Sequence, residues 1–130
     1  MSDRLFSNSL LMLERSMNFQ WTKLSAINEN IVNAETPNYK AKYVTFEEEF
    51  DSRLRAAANR ERPRSALRSA ISASAPQVHV ASNESMRMDD NGVNVAEQEV
   101  EAVRAAYQMQ YVMDSINGYF SNLRSVIRGQ

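Results

Sequence analysis

Apolar residues near the N-terminal end, Leu10, Leu13, Met17, Leu24, Ile27, Ile31 and Ala34, fall at alternating steps of three and four, with Gln20 as the one polar member. Near the C-terminal end Ala102, Ala106, Met109, Met113, Ile116, Phe120, Leu123 and Ile127 follow the same rule without a break. Spacing of this kind draws a stripe along one side of a helix, and that stripe must be covered. Steps averaging about 3.5 residues favour a narrow coiled-coil seam over a broad globular face. The pattern predicts a mainly α protein. Two long terminal helices pack as a coiled-coil-like hairpin, joined by an extended, flexible middle with a small β-hairpin before the last helix. Residues 1–35 form the first helical unit, 36–93 the connecting region and 94–130 the second helical unit.

Ser2 or Asp3 suits the N-cap of the first helix, with Ser7 as a later alternative. Thr36-Pro37-Asn38-Tyr39 stops it: Pro37 disfavours helix at Thr36 and fits the second position of a turn, and Asn38 tolerates the left-handed backbone that follows. Helix from Leu10 to Ala34 would extend about 37 Å. Phe19 and Trp21 lie beside the stripe and widen it. At the other end Asn94-Val95-Ala96-Glu97 reads as a variant capping box, and Gly129 permits the stop after Arg128. Gly118 falls inside that helix, off the stripe, where it suits close approach by a neighbour.

The middle is weakly patterned. Tyr39 to Phe46 reads as extended, and Phe46 and Phe50, four apart, share a side if a helical turn forms there. Arg53, Arg55, Arg60, Arg62, Arg64 and Arg68 crowd one stretch that Pro63 interrupts. It reads as a partner-dependent connection, with a helix over 50–59 as its one regular part. Gln77 to Val80 is a candidate strand. Met86 and Met88, Asn91-Gly92, then Val93 and Val95 suggest a tight hairpin.

The 15 basic and 16 acidic residues leave a net charge of −1, so copies of the chain do not repel strongly, and no global attraction to nucleic acid follows. Aromatics are not interleaved with the arginines, which argues further against a nucleic-acid site. An acidic neighbour fits them better, with Glu47 to Asp51, or Glu97, Glu99 and Glu101, as the opposite charge across an interface. There is no cysteine, hence no disulfide or thiolate chemistry. No apolar run reaches the roughly 20 residues that span a bilayer. The first residues carry Asp3 and Arg4 and lack a small-residue cleavage site, so no cleaved Sec-type signal is expected.

No catalytic set emerges. His79 is the only histidine and lies between Val78 and Val80 without a patterned carboxylate partner. Glu97, Glu99 and Glu101 suit the positive end of a helix dipole rather than a metal. Three glycines cannot build a phosphate-binding loop. The chain is not expected to be an enzyme, and no cofactor or metal is expected.

Residues 28–42, NENIVNAETPNYKAK, resemble the ANNIANAxTPGYKA element of bacterial flagellar rod, hook and hook-associated proteins, the flagellar axial family. The short chain, the continuation from Lys40 to Phe46 and the run from Asp90 to Glu99 narrow the resemblance to the small basal-body rod proteins. Asn38 stands where that family usually has glycine, and Asn91-Gly92 reverses its usual order. The resemblance implies a structural subunit of the proximal rod that leaves the cell by flagellar type III export without signal cleavage and polymerises helically to transmit torque. It implies copies of itself, other rod proteins, a rod adaptor and export-gate or inner-membrane ring components as partners, and the periplasmic rod as its location. Asn30, Asn33, Thr36, Pro37, Asn38 and Tyr39 are then a rigid corner that neighbours grip, and Phe46 and Phe50 a short element read by the export gate. The stripes become assembly seams, and the isolated subunit, with little core of its own, is expected to be partly disordered or loosely helical. A soluble helical adaptor or secretion chaperone that binds a partner helix is the alternative.

Overall fold

The computed structural model describes residues 7–82 and 91–129, with side chains of 47–49 excepted. The first helix, α1, spans Asn8–Val32. Ser7 is its N-cap, and the Ser7 hydroxyl accepts from the Leu10 N–H at 3.3 Å. Ser2 and Asp3 lie outside the described residues. Asn33 ends the helix by turning back on it: its backbone N–H and its side-chain Nδ2 both donate to the Glu29 carbonyl, at 3.1 and 2.8 Å. The Tyr39 N–H then donates to the Thr36 carbonyl at 3.3 Å, and Asn38 takes a φ of 60°. That is the left-handed position following proline in a type II turn, which asparagine tolerates better than most residues.

Strand β1 (Lys42–Thr45) pairs antiparallel with β2 (Gln77–Val80), in the register Lys42 with Val80 and Thr45 with Gln77. A two-stranded antiparallel sheet thus precedes the last helix, but its strands lie far apart in sequence. The hairpin drawn from the Asn91-Gly92 signal does not form on its C-terminal side. Asn94 caps a helix, Val95 is that helix's first residue, and Val93 is buried in irregular chain. Met86 and Met88 lie outside the described residues.

Between the strands, the arginine-rich stretch is more regular than its sequence suggests. Helix α2 spans Glu47–Ala58 and α3 spans Pro63–Ala73, and they pack on each other as a hairpin. Pro63 opens α3 at its first position, where a missing N–H costs nothing, so the residue read as a breaker is a helix start. The hairpin buries Ala57 and Ile71. It is tied to α1 by Asn8 Nδ2 donating to the Arg64 carbonyl at 3.3 Å and Arg15 Nη2 donating to the Ser72 carbonyl at 3.1 Å. Phe19 of α1 stacks on Phe46 at 5.1 Å, and Phe46 on Phe50 at 4.8 Å, so three rings close the middle region over α1.

The last helix, α4, spans Val95–Arg128, with Asn94 accepting from the Glu97 N–H and Gly129 closing it at a φ of 70°. It runs antiparallel to α1. Asn30 meets Gln98, Lys23 meets Glu101, and Leu10 and Met17 share a groove with Ile116. By that register Asn8 lies level with about residue 120, and the rest of α4 projects about 13 Å further.

Candidate assembly interface

The corner where α1 ends is held by two asparagines with no exposed surface. All four hydrogen-bonding positions of the Asn30 side chain are used. Its Nδ2 donates to the Lys42 carbonyl at 2.7 Å and to Gln98 Oε1 at 2.8 Å. Its Oδ1 accepts from the Lys42 N–H at 2.8 Å and the Tyr39 hydroxyl at 3.3 Å. One residue thereby joins α1, the strand entry and the start of α4. Asn91 does the same for the turn: its Nδ2 donates to the carbonyls of Asn33 and Thr36 at 3.1 and 2.7 Å, and its Oδ1 accepts from the Val93 N–H at 2.8 Å. Gly92 N–H donates to the Tyr39 carbonyl at 3.1 Å. Thr36 donates from its hydroxyl to Asn33 Oδ1, while Pro37 and Asn38 stay on the surface at the apex.

Electrostatics reinforce this corner. Lys42 forms an ion pair with Glu29, whose hydrogen bond raises the Lys42 pKa above its ordinary value. Burial raises the Tyr39 pKa, helped by the charge of Glu29. Lys23 bonds Glu101 at 2.8 Å across the two long helices and, with Arg104, holds the Glu101 carboxyl below the usual carboxylate range.

The stripes meet along part of their length. Ile27 and Ala34 are buried, while Leu10, Leu13, Met17, Leu24 and Ile31 are half-buried. Within α4 the covered line runs Ala102, Ala105, Met109, Val112 and Ile116, with Ala105 and Val112 buried. It shares Ala102, Met109 and Ile116 with the line drawn from sequence, but Ala106 and Met113 point outward. Two lines of alternating three and four diverge only at alternate members, and apolarity alone does not choose between them. Phe19 is buried where the middle region covers α1, whereas Trp21 is 66% exposed. Gln20 is buried in the seam, and its Oε1 has no hydrogen-bond partner.

What remains uncovered is a long apolar surface. Val100, Val103, Tyr107 and Tyr111 line the side of α4 turned away from α1, while Met113, Phe120, Leu123 and Ile127 lie on the roughly opposite side and carry the α1-facing line on into the projecting end. An open groove of about 510 Å³ lies between Leu10, Met17, Trp21 and Ile116. A Cβ built on Gly118 meets nothing within 4 Å. Scattered apolar residues are normal on a surface, but two apolar rows along a helix of 34 residues mark contact surfaces. The Phe46 ring is buried in the folded chain and the Phe50 ring half-buried.

His79 bonds Thr45 at 2.7 Å and stacks on Tyr43. Among the described residues no group of three or more His, Asp or Glu converges in a way that could hold a metal, and no helix is long and apolar enough to cross a membrane.

The chain is 30% identical over 128 residues to the flagellar basal body rod protein FlgB of Bacillus subtilis (strain 168), a match covering 96% of this chain and 97% of that protein. The chain belongs to the FlgB family of flagellar basal-body rod proteins. No protein-family model matches it. Relationship to FlgB extends through the middle region, where sequence resemblance to the axial signature stops, so the α2–α3 hairpin and the sheet belong to the aligned length. Asn91 and Gln98 escape sequence reading because their partners lie 55 to 68 residues away in the chain. Ala105 and Val112 were hidden by the equal claim of Ala106 and Met113.

Proposed function

We propose that this chain is a structural subunit of the proximal rod of the bacterial flagellar basal body. It acts by polymerising helically with copies of itself and with other rod proteins, against a rod adaptor and export-gate or inner-membrane ring components. The observation that carries this reading, beside membership of the FlgB family, is the exposed apolar surface on both sides of α4. A helix pair of this size has little core of its own, and neighbours that cover Tyr107, Met113, Phe120 and Ile127 supply the missing burial. The polar corner at Asn30 and Asn91 fixes the angle at which the helices leave it, so a load applied at one end is carried by packed elements rather than by a loose loop.

Export without a cleaved signal belongs to the same proposal, with Phe46 and Phe50 as the element read by the export gate. Since the folded chain buries Phe46, that reading takes place before folding. The rod reading is tested by isolating basal bodies from cells that carry Ile27→Asp or Met113→Asp. Ile27→Asp puts a charge in the packed α1–α4 seam and Met113→Asp one on a surface that neighbours cover, and both variants should be missing from the rod while being made at normal levels. Motile cells with either variant in the rod would count against the assembly role. A soluble adaptor or chaperone would instead leave the unaltered chain in the cytoplasm and absent from basal bodies.

A further inference from the structure

The two ends of the molecule carry opposite charges that have no ion-pair partner among the described residues. At one end, the tip of the α2–α3 hairpin presents Arg60, Arg62 and Arg64, all exposed, beside Glu61 and an open groove of about 1010 Å³. None of these three arginines has an ion pair among the described residues. At the other end, the first turns of α4 expose Glu97 and Glu99, also without an ion pair, whereas Glu101 is engaged by Lys23 and Arg104. Asn8, at the start of α1, holds Arg64, and Asn30, near its end, holds Gln98. The 22 helical steps from Asn8 to Asn30 put the basic tip and the acidic turns about 33 Å apart along the axis of α1. They lie at opposite ends of the packed α1–α4 pair.

We propose that the arginine tip of one subunit docks on the Glu97–Glu99 turns of the next, head to tail, and sets the axial register of the assembly. This rests on the rod reading above. A contact between two different patches is heterologous, and where the rotation between neighbours does not close a ring it extends into an open helical array. Individually such exposed pairs are weak. Their part is to select orientation and register, while the outer apolar row of α4, Val100, Val103, Tyr107 and Tyr111, which starts beside the glutamates, supplies the area.

Charge reversal of the full chain tests the contact. Arg60→Glu/Arg62→Glu/Arg64→Glu makes both ends acidic, and Glu97→Arg/Glu99→Arg makes both ends basic. Each alone should self-associate about ten-fold more weakly than the parent in light scattering, and more salt should weaken the parent likewise. An equimolar mixture of the two, or one chain carrying both sets, should recover the loss. If neither recovers it, or if each variant associates as the parent does, the contact is wrong. Helicity is followed throughout by circular dichroism, because Glu97 also favours the start of α4. Should a reversal variant fail to fold, the cysteine-free chain allows a second measurement. Arg62→Cys and Glu99→Cys chains, mixed with a short bis-maleimide, should cross-link to each other and not to themselves. Equal self-cross-linking overturns the proposal. An unaltered chain found in basal bodies, with reversal variants that enter equally well, removes this contact and leaves the rod reading standing; absence of the unaltered chain removes the rod reading itself.

Discussion

Asn30 donates to the side-chain carbonyl of Gln98 at 2.8 Å, across the point where the first long helix ends and the last begins. The same amide holds both backbone groups of Lys42. Its position, with no exposed surface, means that every group it serves would lose a partner that water does not readily replace.

Replacing Asn30 by alanine should therefore destabilise the folded chain by about 2–4 kcal/mol in urea unfolding. Asn30→Asp is the sharper variant. It keeps the shape and the two accepting positions but loses both donations and buries a charge, and it should cost at least as much. An aspartate that matches the parent would mean the donations to Lys42 and Gln98 contribute nothing.

Asn91 should show the same sensitivity by a different readout. Asn91→Ala leaves the Asn33 and Thr36 carbonyls and the Val93 N–H without their partner, at a cost of about 2–3 kcal/mol. Hydrogen exchange should quicken first at Thr36 and Tyr39, whose turn Asn91 closes. Uniform quickening along all of α1 would point to a global effect instead.

Gln20 predicts a gain. Its Oε1 is buried in the seam without a partner, so Gln20→Met, similar in length and apolar, should raise stability by about 1–2 kcal/mol. A loss of stability would show that this amide is satisfied within the seam.

Glu101 links stability to pH. Its hydrogen bond with Lys23 lowers its folded-state pKa, so the unfolded chain binds the proton more readily. The stabilisation it gives is full above the unfolded carboxylate pKa of about 4.3, and is lost as pH falls through the lower folded value. Below about pH 5 the unfolding midpoint of the parent should fall more steeply than that of Glu101→Gln. Lys23 and Glu101 keep about a quarter of their side-chain surface exposed, so salt should reduce the difference. Parallel acid limbs in the two proteins would exclude the pair as a contributor.

The two terminal helices, their caps at Asn94 and Gly129 and the turn after Thr36 were legible in the chain itself. Each depends on residues within one helical turn of each other, and local sterics and hydrogen bonding act at that range. Arg53 to Arg68 misled for the same reason. Alanine and arginine both favour helix, Pro63 suits a helix start as well as a break, and only docking on Asn8 and Arg15 fixes the outcome. Likewise Asn91-Gly92 has the form of a hairpin turn, yet the carbonyls left open at Asn33 and Thr36 recruited the Asn91 side chain as their cap.

Periodicity determined that α4 must bury a stripe, and its spacing determined a long narrow one. Which of two interleaved lines faces α1 was left to tertiary structure: Ala105 and Val112 turned inward, and Ala106 and Met113 turned out. The physical reason is that a partial rotation about the helix axis changes little in apolar area but exchanges alternate contacts across the seam. Distant polar partners, above all Asn30 with Gln98 and Lys23 with Glu101, lock one rotation in place.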